Sequence, residues 1–253
     1  MIKKSFKPKR TGTAVTVLAF DTSTEILTAA LQVGSRRFRV QVRSVPRHSD
    51  SMFITLGRFL RRKGADFNQI NLVAVGLGPG SFSGLRVGVT VAKTMSYALG
   101  CHLVGLSTLQ VIAMNYRFHP KPICIAQDAR RGNVYTATFS QGREIVSPRL
   151  QRGEEFIAGL NGQVSYAGDA LELYNKEMKQ VCDRANLFMD PTRWIPQAEQ
   201  MISLAFQRWH RNEMDDCFRL SPQYLYDDKC NVTEPRPFKG NKNYGNRKTQ
   251  KIQ

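Results

Sequence analysis

Two periodicities organise the first half of the chain. Residues 15–21 (VTVLAFD) are a continuous apolar run ending on an acid, the pattern of a buried strand. Residues 26–33 (ILTAALQV) and 36–43 (RRFRVQVR) read as two further strands around the Gly34-Ser35 turn. In the second of these, Phe38, Val40 and Val42 alternate with Arg37, Arg39, Gln41 and Arg43, so one face of the strand is wet. The period then lengthens. After a His48-Ser49-Asp50 cap, Met52, Phe53, Leu56, Phe59 and Leu60 form a helical stripe. Arg58, Arg61, Arg62 and Lys63 gather where the helix dipole favours cations, and Gly64 supplies the stop. Strand 71–77, a glycine-rich loop, helix 83–99, a short strand at Leu103-Val104 and helix 107–115 complete this unit.

A second unit starts near Lys121, with two strands around Arg130-Arg131-Gly132-Asn133. The signal then thins to helices near 153–160, 169–181 and 197–210, a strand at 163–167, and an edge segment from Pro222 to Tyr226. This order predicts an α/β fold whose first lobe carries a mixed sheet, followed by a reduced second α/β lobe. The expected divisions are a basic extension (1–14), the first lobe (15–118), the second lobe (119–230) and a basic, disordered tail (231–253).

Composition narrows the function classes. Cys101, Cys124, Cys182, Cys217 and Cys230 are scattered without a C-x-x-C pair, which argues against a disulfide framework or zinc site and for a reducing cytoplasm. His48, His102, His119 and His210 form no H-x-x-x-H pair, so no metal site is expected. No apolar run approaches the ~20 residues of a membrane span, and Ala14–Phe20 is too short for a secretory signal. The net charge of +17 is the anomaly. Both termini contribute to it, and such charge attracts polyanions, RNA foremost; a solvated basic surface gives the same number.

Three segments carry candidate chemistry. Asp21, Thr22 and Ser23 follow the first strand, where a carboxylate with hydroxyls suits a metal-bound phosphate, although ordinary turns use the same residues. Gly78-Pro79-Gly80-Ser81-Phe82-Ser83-Gly84-Leu85-Arg86 joins strand to helix. Its glycines permit close backbone approach and Ser81 or Ser83 can cap the helix. Gly78, Gly80, Ser81, Ser83 and Arg86 are therefore candidates for a nucleotide or anion loop, while a structural turn would need the same glycines. It is neither a Walker A loop nor a dinucleotide fingerprint. Within the helix, Gly84, Gly88, Ala92, Ser96 and Gly100 recur every fourth residue, a ridge that lets another backbone approach closely. The third segment, Gln127-Asp128-Ala129-Arg130-Arg131-Gly132-Asn133-Val134-Tyr135, places an acid before a basic turn.

Together, LAFDTST (18–24), HSDS (48–51), GLGPGSFSGLRVG (76–88), VGLSTLQVIA (104–113) and DARRGNVY (128–135) resemble the TsaB (YeaZ) family over roughly residues 15–140. The resemblance implies the actin-like ATPase and sugar-kinase (ASKHA) fold. It implies a non-catalytic subunit that activates a TsaD-like catalytic partner for threonylcarbamoyl transfer to the adenosine beside the tRNA anticodon, with a TsaE-like ATPase joining. TsaD carries two metal-binding histidines; Thr108 and Ile112 stand at their places here. No catalytic residue and no metal are therefore expected in this chain, and no cofactor for the chain alone, with ATP or ADP assigned to the complex interface. Family pairing runs through the first-lobe helices, which nominates Met52, Phe53, Leu56, Phe59, Leu60, Gly84, Gly88, Val91, Ala92 and Met95 as partner-facing residues, for TsaD or for a second copy of the chain.

The chain departs from the family in Ser83, in Tyr224-Leu225-Tyr226 and in the basic tail from Arg236, which suggests attraction to tRNA. The rival reading is a stand-alone enzyme of the same superfamily, a small kinase or metallopeptidase. A general RNA-binding protein rests on charge alone.

Overall fold

The computed structural model describes residues 15–42 and 49–225. β1 (Thr16–Asp21), β2 (Leu27–Val33) and β3 (Arg36–Val42) form an antiparallel meander. α1 (Ser49–Arg62), β4 (Leu72–Gly78), α2 (Phe82–Leu99), β5 (His102–Ser107) and α3 (Thr108–Ala113) follow. β4 lies parallel to β1, and β5 parallel to β4, giving the order β3-β2-β1-β4-β5. Parallel central strands need cover on both faces, which is why Val17, Leu18, Ala19 and Phe20 of β1 are all apolar and fully buried. Leu18 and Phe20 face Met52 and Leu56 of α1 and Val91, Ala92 and Met95 of α2, while Val17 and Ala19 face the other way.

The second lobe repeats this plan. β6 (Ile123–Arg130), β7 (Asn133–Ser140) and β8 (Arg143–Arg152) form another antiparallel meander. After α4 (Gly153–Ala158), β9 (Ser165–Ala167) lies parallel to β6. After α5 (Ala170–Leu173) and α6 (Asn175–Val181), β10 (Leu187–Phe188) lies parallel to β9. The order β10-β9-β6-β7-β8 is the first sheet's order with β6 in the place of β1. This duplicated α/β topology is the actin-like architecture that the resemblance implies. The reduction expected of the second lobe is confined to its parallel strands and short helices. The match makes Asp128, within β6, the counterpart of Asp21 at the end of β1.

The expected lobe boundary at 230 is corrected by α7 (Ala198–His210), which returns to the first lobe. Ala198, Met201, Ile202 and Ala205 pack on Val17, Ala19 and Val104. The segment behind α7 is bonded to the same lobe: Asp215 N donates to Leu103 O at 2.8 Å and Gln223 N to Leu77 O at 2.7 Å. Through residue 225 this segment contributes no strand, so the predicted edge element is absent there. The His48 cap, the 1–14 extension and the 231–253 tail lie outside the described residues. The additional strand β8 escaped the pattern because its side chains are nearly all exposed; backbone pairing to β7 holds it.

Candidate functional site

The turn after β1 is built around one buried acid. Asp21 has no exposed surface, and its Oδ1 accepts from Ser23 N at 2.7 Å and Ser23 Oγ at 2.5 Å. Its Oδ2 accepts from Thr108 Oγ1 at 2.7 Å. Burial pushes its pKa above the ordinary carboxylate value, against the hydrogen bonds from Ser23 and Thr108 that pull it down. Gly76 of β4 makes room, since a Cβ there would collide with Asp21 Oδ2. The carboxylate of Asp21, a candidate either for a metal-bound phosphate or for ordinary turn chemistry, faces the protein's own hydroxyls. Thr108 supplies one of those hydroxyls, and Ile112 is fully buried in the core.

The glycine loop is sewn to that turn. Ser81 N donates to Ser23 O at 2.7 Å, and a Cβ at Gly80 would strike Ser23 O. Gly78, with φ +98°, precedes a cis peptide to Pro79. Ser81 caps α2, its hydroxyl accepting from Gly84 N at 3.3 Å. Ser81 and Ser83 are both exposed, with their hydroxyl oxygens 3.5 Å apart. Arg86 lies one turn further on. Its guanidinium stacks 4.2 Å from the Phe82 ring centroid, and Phe82 meets Tyr224 at 5.2 Å.

The ridge of small residues faces inward. Thr22 is fully buried, and its hydroxyl donates to Gly84 O at 2.8 Å. A Cβ at Gly84 would meet Thr22 O, and one at Gly88 would meet Thr22 Oγ1. The close approach therefore occurs between α2 and the Asp21 turn of the same lobe. This corrects the partner-facing assignment residue by residue. Met52, Leu56, Phe59, Leu60, Gly84, Gly88, Val91, Ala92 and Met95 are buried within the lobe. Phe53 is half-buried, edge-on to Phe67 with centroids 6.3 Å apart. The apolar stripes cover the sheet, as amphipathic helices do. The outward faces of α1 and α2 instead carry Ile54, 53% exposed, with Arg58, Thr90, Thr94 and Tyr97, which is 63% exposed.

Between the lobes lies a cleft of about 1170 Å³. The Asp21 turn contributes Ser23, Thr24 and Glu25, the glycine loop Gly80 and Ser81, and the β6–β7 turn Asp128, Arg130 and Arg131. The two turns meet at its mouth, where Arg130 lies 3.7 Å from Glu25 and 3.1 Å from Asp128. Asp128 Oδ1 accepts from Arg130 N at 2.7 Å, repeating the bond Asp21 makes with Ser23 two residues on. Arg130 and Arg131 both take positive φ, 66° and 55°, which turns the pair across the end of the hairpin. Asp169 Oδ1 accepts from Asp128 N at 2.7 Å, and enclosure by the cleft, together with the charge of Asp128, holds its pKa up. In a chain of net charge +17, the carboxylates lining this cleft (Glu25, Asp128, Asp169 and Glu172) outnumber its guanidiniums (Arg130 and Arg131). A triphosphate would meet those acids. Sequence reasoning singled out both turns but missed Gly76 and the Glu25–Arg130 contact, for which linear spacing carries no signal.

The geometry thus keeps the frame of a two-lobed ATPase while turning its first acid inward. The family model described as "TsaD: tRNA N6-adenosine threonylcarbamoyltransferase" matches residues 43–185. A protein of Buchnera aphidicola subsp. Baizongia pistaciae, named tRNA threonylcarbamoyladenosine biosynthesis protein TsaB, is 33% identical over 222 residues, covering 83% of this chain and 97% of that protein. The chain belongs to the TsaB family. A TsaB protein of Haemophilus influenzae is 24% identical over 85% of this chain and 94% of its own length. The solved structure of YeaZ from Pseudomonas aeruginosa, 28% identical, matches with a TM-score of 0.70 over 83% of this chain and all of that one. A second Pseudomonas aeruginosa structure, described as similar to peptidase YEAZ, matches at the same TM-score with 26% identity. TsaB relatives thus span both lobes, including the second, where the motifs thin out.

Proposed function

We propose that this chain is the TsaB-type subunit of the cytoplasmic machinery that makes threonylcarbamoyladenosine in tRNA. In this role it is a non-catalytic partner of a TsaD-type transferase. The observation that carries the reading is the Asp21–Thr108 hydrogen bond. Where the resemblance puts the histidines of a metal-dependent relative, this chain has Thr108 and Ile112, and the Thr108 hydroxyl is engaged by a buried acid. Membership in the TsaB family supplies the pathway.

Pairing uses the outward faces of α1 and α2, with Ile54, Thr90, Thr94 and Tyr97 at their centre, in place of the buried stripes. The same surface serves a second copy of the chain when TsaD is absent. ATP or ADP belongs to the surface shared with TsaD and a TsaE-type ATPase, with the exposed hydroxyls of Ser81 and Ser83 facing it, and tRNA is the substrate of the assembly. Mixing the chain with the TsaD-type protein of its own organism and measuring mass by light scattering after gel filtration tests the pairing. A one-to-one complex is expected; two independently eluting proteins would overturn it.

A further inference from the structure

The interlobe cleft holds a polar group that neither the fold nor the proposed pairing uses. Gln127 is only 7% exposed, lines the cleft, and its side-chain amide has no hydrogen-bond partner among the described residues. The residue is otherwise enclosed, so the amide can be reached only from the cleft. A carboxamide offers a donor and an acceptor side by side, so its complement presents both, as a peptide group does.

The cleft's charge selects further. Arg130 is already engaged by Asp128 and Glu25, and Asp169 holds Asp128 N. Glu172 lines the same cleft, is exposed, and has no ion pair among the described residues. Ile26, Tyr135, Pro191, Trp194 and Ile195 provide the apolar wall. At about 1170 Å³ the space exceeds the ~300–1,000 Å³ of ordinary small-molecule sites.

We infer that the cleft between the lobes binds a short basic peptide segment, with Gln127 pairing a peptide group and Glu172 and Asp169 receiving a Lys or Arg side chain. The inference does not depend on pairing with TsaD. The net charge of +17 lowers background binding of cations, which makes the test more selective.

Calorimetric titration with acetyl-Gly-Arg-Gly-Arg-Gly-amide at physiological salt tests it, alongside the citrulline analogue, spermidine and Mg-ATP. The arginine peptide is expected to bind at least tenfold more tightly than its neutral citrulline analogue and than spermidine, which lacks peptide groups. Glu172→Lys, at an exposed position, should weaken it at least tenfold, and Gln127→Leu about fivefold with little change in melting temperature. Absence of peptide binding, equal affinity in wild type and Glu172→Lys, or displacement of the peptide by Mg-ATP would overturn the inference.

Discussion

Thr108 donates its hydroxyl hydrogen to Asp21 at 2.7 Å, joining residues 87 apart. The bond ties the start of α3 to the end of β1 inside the first lobe. Thr108→Val keeps the shape and removes the donor, leaving Asp21 Oδ2 without its partner. Unfolding in urea should show a loss of about 1–3 kcal/mol; an unchanged midpoint and slope would show that the bond contributes nothing.

The same acid sets a pH dependence. Its folded pKa lies above the ordinary carboxylate value of 3.8, so at a pH between the two the folded chain holds a proton that the unfolded chain has released. Its stabilising contribution is therefore complete below pH 3.8 and is lost as pH rises through the folded pKa. Asp21→Asn removes this titration. The stability of the variant relative to wild type should rise with pH across that window and then level off, measured by urea unfolding at a series of pH values. A difference independent of pH would refute the assignment.

Gly88 is needed because Thr22 occupies the space a Cβ would take. In an exposed helix, Gly→Ala stabilises by roughly 1 kcal/mol. Here Gly88→Ala is expected to destabilise by about 1–3 kcal/mol through overpacking, and Thr22→Ala in the same chain should recover part of the loss. Thermal melts of the single and double variants separate this from a surface role, under which Gly88→Ala would leave the melt unchanged.

Outward positions should behave in the opposite way. Thr94 is exposed on α2, where its hydroxyl donates to Thr90 O at 2.9 Å within the helix. Thr94→Arg should alter stability by no more than about 0.5 kcal/mol. It should weaken association with a TsaD-type partner at least tenfold in a titration followed by fluorescence anisotropy. Undiminished association would move the interface elsewhere.

The first lobe was largely legible in the sequence because its elements follow burial. Parallel strands give unbroken apolar runs, and α1 and α2 give clear stripes. Which way those stripes face was not legible. An apolar stripe reads the same whether it covers its own sheet or a partner, and only the position of Thr22 beneath Gly84 and Gly88 decides. In the second lobe β9 and β10 are too short for a period to register, and β8 is exposed on both faces. The Asp21–Thr108 pair and the approach of Glu25 to Arg130 arise from tertiary contact. Local spacing carries no trace of them, although each residue lies in or next to a motif that the sequence had singled out.

The role proposed for this chain is to support threonylcarbamoyl transfer without performing it. The most direct measurement is the yield of threonylcarbamoyladenosine, quantified by mass spectrometry of digested tRNA, in a reaction supplied with threonylcarbamoyl adenylate as donor, ATP and tRNA and reconstituted with TsaD-type and TsaE-type proteins of the same organism. Product is expected only when all three proteins are present, with none formed by this chain alone. Equal yield without this chain, or modified tRNA from this chain by itself, would contradict the account.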